Sequence, residues 1–128
     1  FAGCRVLVAD DNDISMEIIT ELLTMNGLKV VAAANGREAV ERFAASQEGS
    51  VQLVLMDVQM PELDGCEAAR RIRQLPRRDV ISVPILALTG NSSSEDVEAA
   101  MQAGMNDYMV KPVKMKLLAR VMSGYIHV

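Results

Sequence analysis

The sequence predicts one α/β domain in which five short parallel strands alternate with five helices. Five apolar runs rich in Val, Ile, Leu and Met recur along the chain, and a stretch with helical spacing of apolar residues follows each run. Strands that are apolar on both faces are typical of a parallel sheet covered by helices on both sides. A chain of 128 residues can bury one such core. We therefore expect a single domain over residues 1–128.

Each element is placed by its own local pattern. The predicted strands are CRVLVAD (4–10), LKVVAA (28–33), VQLVLMD (51–57), VPILALT (83–89) and DYMVK (107–111). Helical periodicity predicts helices over residues 14–26, 36–47, 65–75, 93–103 and 114–126. Gly27 and Gly104 stand where C-caps end the first and fourth helices, and serines 92–94 can cap the start of the fourth.

Composition excludes several classes of function. The net charge of −4, from 13 basic and 17 acidic residues, leaves no basic surface typical of nucleic-acid binding. No apolar run approaches the roughly 18 residues that span a bilayer, so we expect no membrane contact by this domain. Cys4 and Cys66 are too few for a disulfide framework and lack zinc-site spacing. A reducing, cytoplasmic location fits best.

Polar side chains stand at the ends of four predicted strands. Ligands of open parallel sheets bind beyond the carboxyl ends of the strands. The residues at those ends are Asp10 with Asp11, Asp57, Thr89 and Lys111. Adjacent carboxylates repel each other unless a cation neutralises them. Because Mg²⁺ prefers carboxylate oxygens and keeps several waters, we predict a Mg²⁺ (or Mn²⁺) site at Asp10, Asp11 and Asp57.

Such a site suits phosphoryl transfer, in which a protein mainly positions groups and neutralises charge. A carboxylate can itself be the nucleophile, and Asp57 is the best candidate because it stands alone at the end of the central strand. Lys111 can pair with a carboxylate before transfer and with a phosphoryl oxygen afterwards. Thr89 can donate its hydroxyl to another phosphoryl oxygen.

Together these motifs resemble the receiver (response-regulator) domain family of two-component signalling, and most closely the receivers of hybrid histidine kinases. The matching blocks are VLVADDN, LVLMDVQMPELDG, PILALTGN and AGMNDYMVKPV, and the resemblance covers essentially the whole chain. It implies a flavodoxin-like, doubly wound sheet of five parallel strands in the order 2-1-3-4-5. It also implies a receiver domain within a longer chain, which a membrane can anchor, and no enzyme activity toward a separate substrate for the isolated domain.

The resemblance further assigns roles to single residues. Asp57 would accept a phosphoryl group from the phosphohistidine of a histidine kinase or a histidine phosphotransfer domain, and the Gln59 carbonyl would complete the metal ligands. The Lys111–Pro112 bond would be cis. Thr89 and Tyr108 would form a switch pair that remodels a partner surface. Gln59 and Asn91 would tune the lifetime of the phosphoryl group.

Two partner surfaces follow from the same resemblance. The family docks a histidine-bearing helical bundle on helix one, and apolar residues cover about 200° of this helix, more than the roughly 100° that burial needs. The stripe predicted to be buried is Ile14, Ile18, Leu22 and Met25, and the stripe predicted to contact the bundle is Met16, Ile19 and Leu23. The fourth helix, fifth strand and fifth helix would form a homodimer surface.

Alternative functions fit the sequence less well. A flavin or nucleotide binder needs a Gly-rich or hydroxyl-rich phosphate loop after the first strand, where this chain has the repelling sequence DDND. An aspartyl phosphatase would carry a second acid at the position of Gln59. A pseudo-receiver that serves only as an interaction module would not need the complete set of polar strand ends.

Overall fold

The computed structural model of the chain describes residues 3–58, 60, 63–90 and 94–125, except for the side chain of Ser94. Within these ranges every predicted strand and helix is present, with bounds that differ from the predicted ones by no more than two residues. The elements are β1 (Arg5–Ala9), α1 (Asp13–Met25), β2 (Lys29–Ala33), α2 (Gly36–Ala45), β3 (Leu53–Asp57), α3 (Gly65–Arg73), α4 (Asp79–Ser82), β4 (Ile85–Thr89), α5 (Ser94–Gln102), β5 (Asp107–Val110) and α6 (Met115–Tyr125). The four-residue helix α4 was not predicted, because one turn is too short to show helical periodicity. The fourth and fifth predicted helices are therefore α5 and α6.

All five strands lie parallel in one sheet in the order β2-β1-β3-β4-β5. This confirms the predicted α/β class and the strand order of the flavodoxin-like fold. Every residue of β3 and β4 is buried, which explains their continuous apolar sequences. The chain leaves β1 for β2 and then returns to β3, so the strand order reverses between β1 and β3. In sheets of this kind the crevice at such a reversal is where ligands bind.

Helices cover both faces of the sheet and make two buried layers. One layer lies under α2, α3, α4 and α5, where Phe43 and Ile72 are fully buried. The other lies under α1 and α6, where Leu23 and Leu118 are fully buried. Consecutive residues of a strand point to opposite layers because the side chains of a strand alternate. Among the described residues, no helix is long and apolar enough to cross a bilayer.

Helix α1 is rotated relative to the prediction. Ile19 and Leu23 are 2% and 0% exposed and lie in the core layer beneath α1, with Met16 partly buried against it. The prediction that Met16, Ile19 and Leu23 contact a partner is therefore wrong, since these side chains face the sheet. Periodicity identified a wide apolar arc but could not choose which half of it faces inward.

The other half of that arc faces outward. Ile14, Ile18 and Met25, which were predicted to be buried, are 71%, 54% and 77% exposed. Leu22 lies between them and packs partly against the core. Helix α1 therefore presents an apolar stripe that runs from its first turn, beside the carboxyl ends of the strands, to its last residue.

Side-chain caps begin α1, α2 and α3, three of the helices that start at the carboxyl edge of the sheet. The Asn12 side chain accepts a hydrogen bond from the Ser15 backbone N–H, and Asn12 is the N-cap of α1. Asn35 and Asp64 cap α2 and α3 in the same way. Gly27, at φ 82°, follows the end of α1 as predicted, in a conformation that favours glycine. Of the serines predicted to cap the fourth helix, Ser92 and Ser93 lie outside the described residues.

Arg77 lies at the centre of a polar cluster between the end of α2 and the start of α4. The Arg77 guanidinium lies 4.8 Å above the Phe43 ring and donates to the Phe43 and Ser46 carbonyls at the end of α2. The same guanidinium pairs with both carboxylate oxygens of Asp79, at 3.0 and 2.7 Å. Asp79 also accepts the Gly49 backbone N–H. This cluster joins α2 to α4 at the edge of the sheet opposite the polar strand ends.

Candidate functional site

The structure brings Asp10, Asp11 and Asp57 together at the point where the strand order reverses. One carboxylate oxygen from each residue lies within 4.8 Å of the other two. Asp10 and Asp57 are 2% and 8% exposed, whereas Asp11 is open to solvent. A cation held here would therefore have protein oxygens on its inner side and room for water on its outer side. This is the arrangement that suits Mg²⁺, which seldom gives up all of its waters.

Asp10 is held by three donors. Its Oδ1 accepts the Asn12 backbone N–H at 3.0 Å, and its Oδ2 accepts the Ser15 hydroxyl at 2.6 Å and the Lys111 ammonium at 2.7 Å. Burial by itself would raise the pKa of Asp10, but the hydrogen bonds from Lys111, Ser15 and Asn12 together hold its pKa below the ordinary value. Asp10 is therefore a carboxylate at neutral pH although it is buried.

Lys111 bridges two of the three carboxylates. Its Nζ lies 2.7 Å from Asp10 Oδ2 and 3.0 Å from Asp57 Oδ2. Burial would lower the pKa of Lys111, but the hydrogen bonds and charges of the two carboxylates raise it above the ordinary value. The Lys111–Pro112 peptide bond is cis, as the resemblance implied. The ion pairs seen among the described residues give the three carboxylates one ammonium, a formal charge of minus two that a single divalent cation would balance.

Thr89 and Tyr108 occupy adjacent strands next to this cluster. Thr89 ends β4 and is 2% exposed, one position beyond Leu88, which is paired with Asp57. Tyr108 lies on the edge strand β5, two residues before Val110, the partner of Thr89, and is 37% exposed. Thr89 is therefore buried at the carboxyl end of the strand next to that of Asp57, while Tyr108 on the edge strand is exposed.

Some predicted site residues fall outside the described part of the chain. Gln59, predicted as a metal ligand through its carbonyl and as a lifetime residue, is one of them. Asn91, the second predicted lifetime residue, is another. Their roles stay predictions.

Two residues that position the site were missed by sequence reasoning. The first is Ser15, whose hydroxyl bonds Asp10 from the first turn of α1. The second is Gly65, because a Cβ there would collide with the Asp57 backbone carbonyl. A serine inside the apolar start of α1 and a glycine at the start of α3 were the available signals. Neither signal identifies the residue that is contacted, because each contact joins two different secondary-structure elements.

A largely apolar groove opens beside Lys111. It has a volume of about 390 Å³ and lies between α1 and the segment that joins β5 to α6. Its lining residues are Asn12, Ile14, Ser15, Ile18, Ile19, Lys111, Pro112 and Val113. The exposed stripe of α1 therefore continues directly into the cluster of charged residues.

Comparison with known proteins agrees with this geometry. Residues 6–123 match the family model described as response regulator receiver domain. The chain is 36% identical over 124 residues to hybrid signal transduction histidine kinase I of Dictyostelium discoideum, and this match covers 95% of the chain but 7% of that protein. The chain belongs to the response regulator receiver domain family, and it resembles the receivers found in hybrid histidine kinases.

Two solved structures are close in both sequence and fold. One is the receiver domain of the sensor histidine kinase PA1611 from Pseudomonas aeruginosa, solved with a magnesium ion in its active site cleft, with a TM-score of 0.85, 36% identity and coverage of 97% of this chain and 98% of that one. The other is a receiver domain from Saccharomyces cerevisiae, that of Ssk1, in complex with the histidine phosphotransfer protein Ypd1. Its TM-score is 0.84, with 33% identity and coverage of 98% and 90% of the two chains.

Proposed function

We propose that Asp57 accepts a phosphoryl group from a phosphohistidine in a Mg²⁺-dependent step of a two-component phosphorelay. The observation that carries this proposal is the charge balance of the site, where three clustered carboxylates share one bridging ammonium. A cluster with a purely structural role would be more stable if a second basic side chain of the protein neutralised it. This cluster instead keeps an exposed carboxylate, Asp11, beside two buried ones, which favours a site that recruits a cation from solution.

Asp10, Asp11 and Asp57 would hold the ion, and the Gln59 carbonyl is proposed as a further ligand. A bound Mg²⁺ supplies neutralisation of the negative charge on the phosphoryl oxygens. In the transfer, an Asp57 carboxylate oxygen forms a bond to phosphorus while the bond from phosphorus to the donor imidazole nitrogen breaks. The electron pair of the broken bond stays on that nitrogen, and a donor ring that carries a proton on its other nitrogen leaves as a neutral imidazole.

Lys111 and Thr89 would bind the phosphoryl group once it is attached to Asp57. Lys111 already contacts Asp57 Oδ2 at 3.0 Å, so a small movement lets its ammonium pair with a phosphoryl oxygen. The Thr89 hydroxyl donates to another phosphoryl oxygen. We propose that this bond draws Thr89 toward Asp57 and lets the Tyr108 ring turn inward from its present exposed position. Such a switch would alter the surface formed by α5, β5 and α6.

The reaction is tested by phosphorylation with a small-molecule donor. Acetyl phosphate with Mg²⁺ should add one phosphoryl group to the wild-type chain in intact-mass measurements, and EDTA should prevent the addition. Asp57→Asn should show no adduct, whereas the matched variant Asp13→Asn, an exposed acid close in sequence, should be phosphorylated normally. An undiminished adduct on Asp57→Asn would contradict the proposal.

The donor is proposed to be a histidine-bearing helical bundle, either a histidine phosphotransfer domain or the helical domain of a histidine kinase. Its imidazole must reach Asp57, and the groove that Lys111 helps to line is an apolar surface beside that cluster. Ile14 and Ile18 line this groove and expose 71% and 54% of their surface, so they replace the stripe first predicted as the docking face. A helix of the donor laid along α1 would bury them while its imidazole faces the carboxylates.

Docking is tested with a pair of matched substitutions. Ile18→Glu should slow phosphotransfer from a phosphorylated histidine phosphotransfer domain by about tenfold or more, since losing an apolar anchor costs at least about 1.4 kcal/mol. Ile81→Glu changes an isoleucine that is 85% exposed in α4, at the opposite edge of the sheet, and should leave transfer unchanged. Both variants should react normally with acetyl phosphate. Equal transfer rates for the two variants would refute this docking surface.

The location, the parent chain and the self-association of the domain are also proposals. We expect the domain to act in the cytoplasm. We also expect it to be part of a longer chain, because it covers 7% of the hybrid kinase that it matches. As an isolated domain it would catalyse its own phosphorylation and dephosphorylation and act on no separate substrate. The α5, β5 and α6 surface exposes Tyr108, Val110 and Leu117, and it stays a predicted homodimer surface.

A further inference from the structure

The Ser15 hydroxyl occupies a defined place between α1 and the charged cluster. Its oxygen lies 2.6 Å from Asp10 Oδ2, a short distance typical of a hydroxyl that donates to a carboxylate. The Ser15 backbone N–H is held at the same time by the Asn12 side chain, at 2.9 Å. Both the main chain and the side chain of Ser15 are therefore tied to the turn between β1 and α1.

The two donors on Asp10 Oδ2 differ in charge and in the other contacts that they make. Lys111 is a cation that also contacts Asp57, and under the proposed function it turns to the phosphoryl group after transfer. An incoming divalent cation repels an ammonium but does not repel a neutral hydroxyl. Ser15 can therefore keep its hydrogen bond to Asp10 when a cation enters and when Lys111 turns away.

Orientation of Asp10 matters because its side chain is fully buried. A carboxylate has about four lone-pair positions, and each donor that it accepts restricts the direction of the others. The Asn12 N–H fixes Oδ1 and the Ser15 hydroxyl fixes Oδ2, so the carboxylate plane is held from both sides. Lys111 takes a third lone-pair position, so about one of the four is left for a cation in the cluster with Asp11 and Asp57.

We propose that Ser15 is a positioning residue of the cation site, which holds Asp10 in the orientation that receives Mg²⁺. This inference rests on the proposed function, because it assumes that the carboxylate cluster binds Mg²⁺. Hydrogen-bond donors to metal-binding side chains commonly contribute about 10- to 100-fold to metal affinity. We therefore expect loss of the Ser15 hydroxyl to weaken Mg²⁺ binding by about tenfold without changing the reaction at saturating Mg²⁺.

The test compares Ser15→Thr with Ser15→Val, which have nearly the same shape and differ in the hydroxyl group. The dissociation constant for Mg²⁺ is measured by calorimetric titration of the unphosphorylated chain. Ser15→Thr should bind Mg²⁺ like the wild type, and Ser15→Val and Ser15→Ala should bind it about tenfold more weakly. Ser123→Ala removes an exposed hydroxyl that bonds the Ala119 carbonyl in α6, and it should have no effect.

A kinetic measurement separates positioning from general damage to the fold. In acetyl phosphate reactions, Ser15→Val should require more Mg²⁺ for half-maximal rate and then reach the wild-type maximal rate. Equal Mg²⁺ affinities for Ser15→Val and Ser15→Thr would overturn the role of Ser15 while leaving the proposed function intact. Failure of the wild type itself to bind Mg²⁺ would overturn both.

Discussion

Replacement of Asp11 by asparagine removes one negative charge from the cluster without breaking either ion pair of Lys111. Those pairs go to Asp10 and Asp57, whereas Asp11 is the exposed member of the three carboxylates. The repulsion that Asp11 exerts on its two neighbours is then relieved. We therefore expect Asp11→Asn to be more stable than the wild type when no divalent cation is present.

The size of this effect follows from the distances in the cluster. Two unit charges at 4.8 Å repel by about 0.9 kcal/mol in bulk water and by about 3.5 kcal/mol at an effective dielectric constant of about 20. Because Asp11 is exposed, the aqueous limit applies, and attraction by Lys111 offsets part of the two repulsions. We expect a gain of about 1 kcal/mol in the free energy of unfolding, or about 3–5 °C in Tm for a domain of this size.

Mg²⁺ should reverse the order of stability. An ion present at 100 times its dissociation constant stabilises a folded protein by about 2.7 kcal/mol, and Asp11→Asn should lose most of that gain because it lacks one ligand. Urea unfolding in EDTA and in Mg²⁺ measures both quantities, and added NaCl should shrink the difference seen in EDTA.

The control for this experiment is Asp13→Asn. Asp13 is an exposed acid at the start of α1 that does not belong to the carboxylate cluster. Its removal should cost a few tenths of a kcal/mol through the helix dipole, equally with and without Mg²⁺. If Asp11→Asn proved less stable than the wild type in EDTA, repulsion would not be the dominant force at this site and the reasoning would be refuted.

Three further predictions concern Asp79, Gly65 and Cys66. Burial alone would raise the pKa of Asp79, but its hydrogen bonds to Arg77 and to a backbone amide lower it. A lowered folded-state pKa means that the pair stabilises the protein above the unfolded pKa of about 3.9 and loses that contribution as pH falls through the folded value. Asp79→Asn should therefore destabilise the chain at pH 7 and much less near pH 3, as measured by urea unfolding at each pH. Gly65→Ala would push a methyl group against the Asp57 carbonyl, so we expect lower stability and loss of the NMR shifts caused by beryllofluoride and Mg²⁺; unchanged shifts would contradict this contact. Burial raises the pKa of the Cys66 thiol, so a thiol-specific reagent at pH 7 should modify it only after denaturant is added, and rapid modification of the folded chain would disagree.

Much of the site could be predicted from sequence because strand ends of a parallel sheet meet at one edge. Asp10, Asp57, Thr89 and Lys111 each follow a short apolar run, so their placement needed only the strand pattern and the rule that such ends converge. The structure places all four there. The single turn of α4 escaped prediction because four residues carry no periodic signal.

The rotation of α1 is the clearest example of what sequence could not decide. Its apolar residues form two overlapping stripes, and hydrophobic periodicity measures the width of the arc but not the direction in which it faces. The structure turns Ile19 and Leu23 to the sheet and Ile18 to solvent, and the Asn12 cap and the bond from Ser15 to Asp10 hold the turn from which α1 starts.

The sequence by itself determined the alternation of strands and helices, the strand boundaries to within two residues and the set of polar residues at the strand ends. These follow from local hydrophobic patterns and from the geometry shared by all parallel sheets. Only the tertiary structure decided which face of α1 packs against the sheet, that Lys111 bridges Asp10 and Asp57, and that Ser15 donates a hydrogen bond to Asp10. Those facts depend on distances between side chains of different elements, and such distances exist only once the elements have packed.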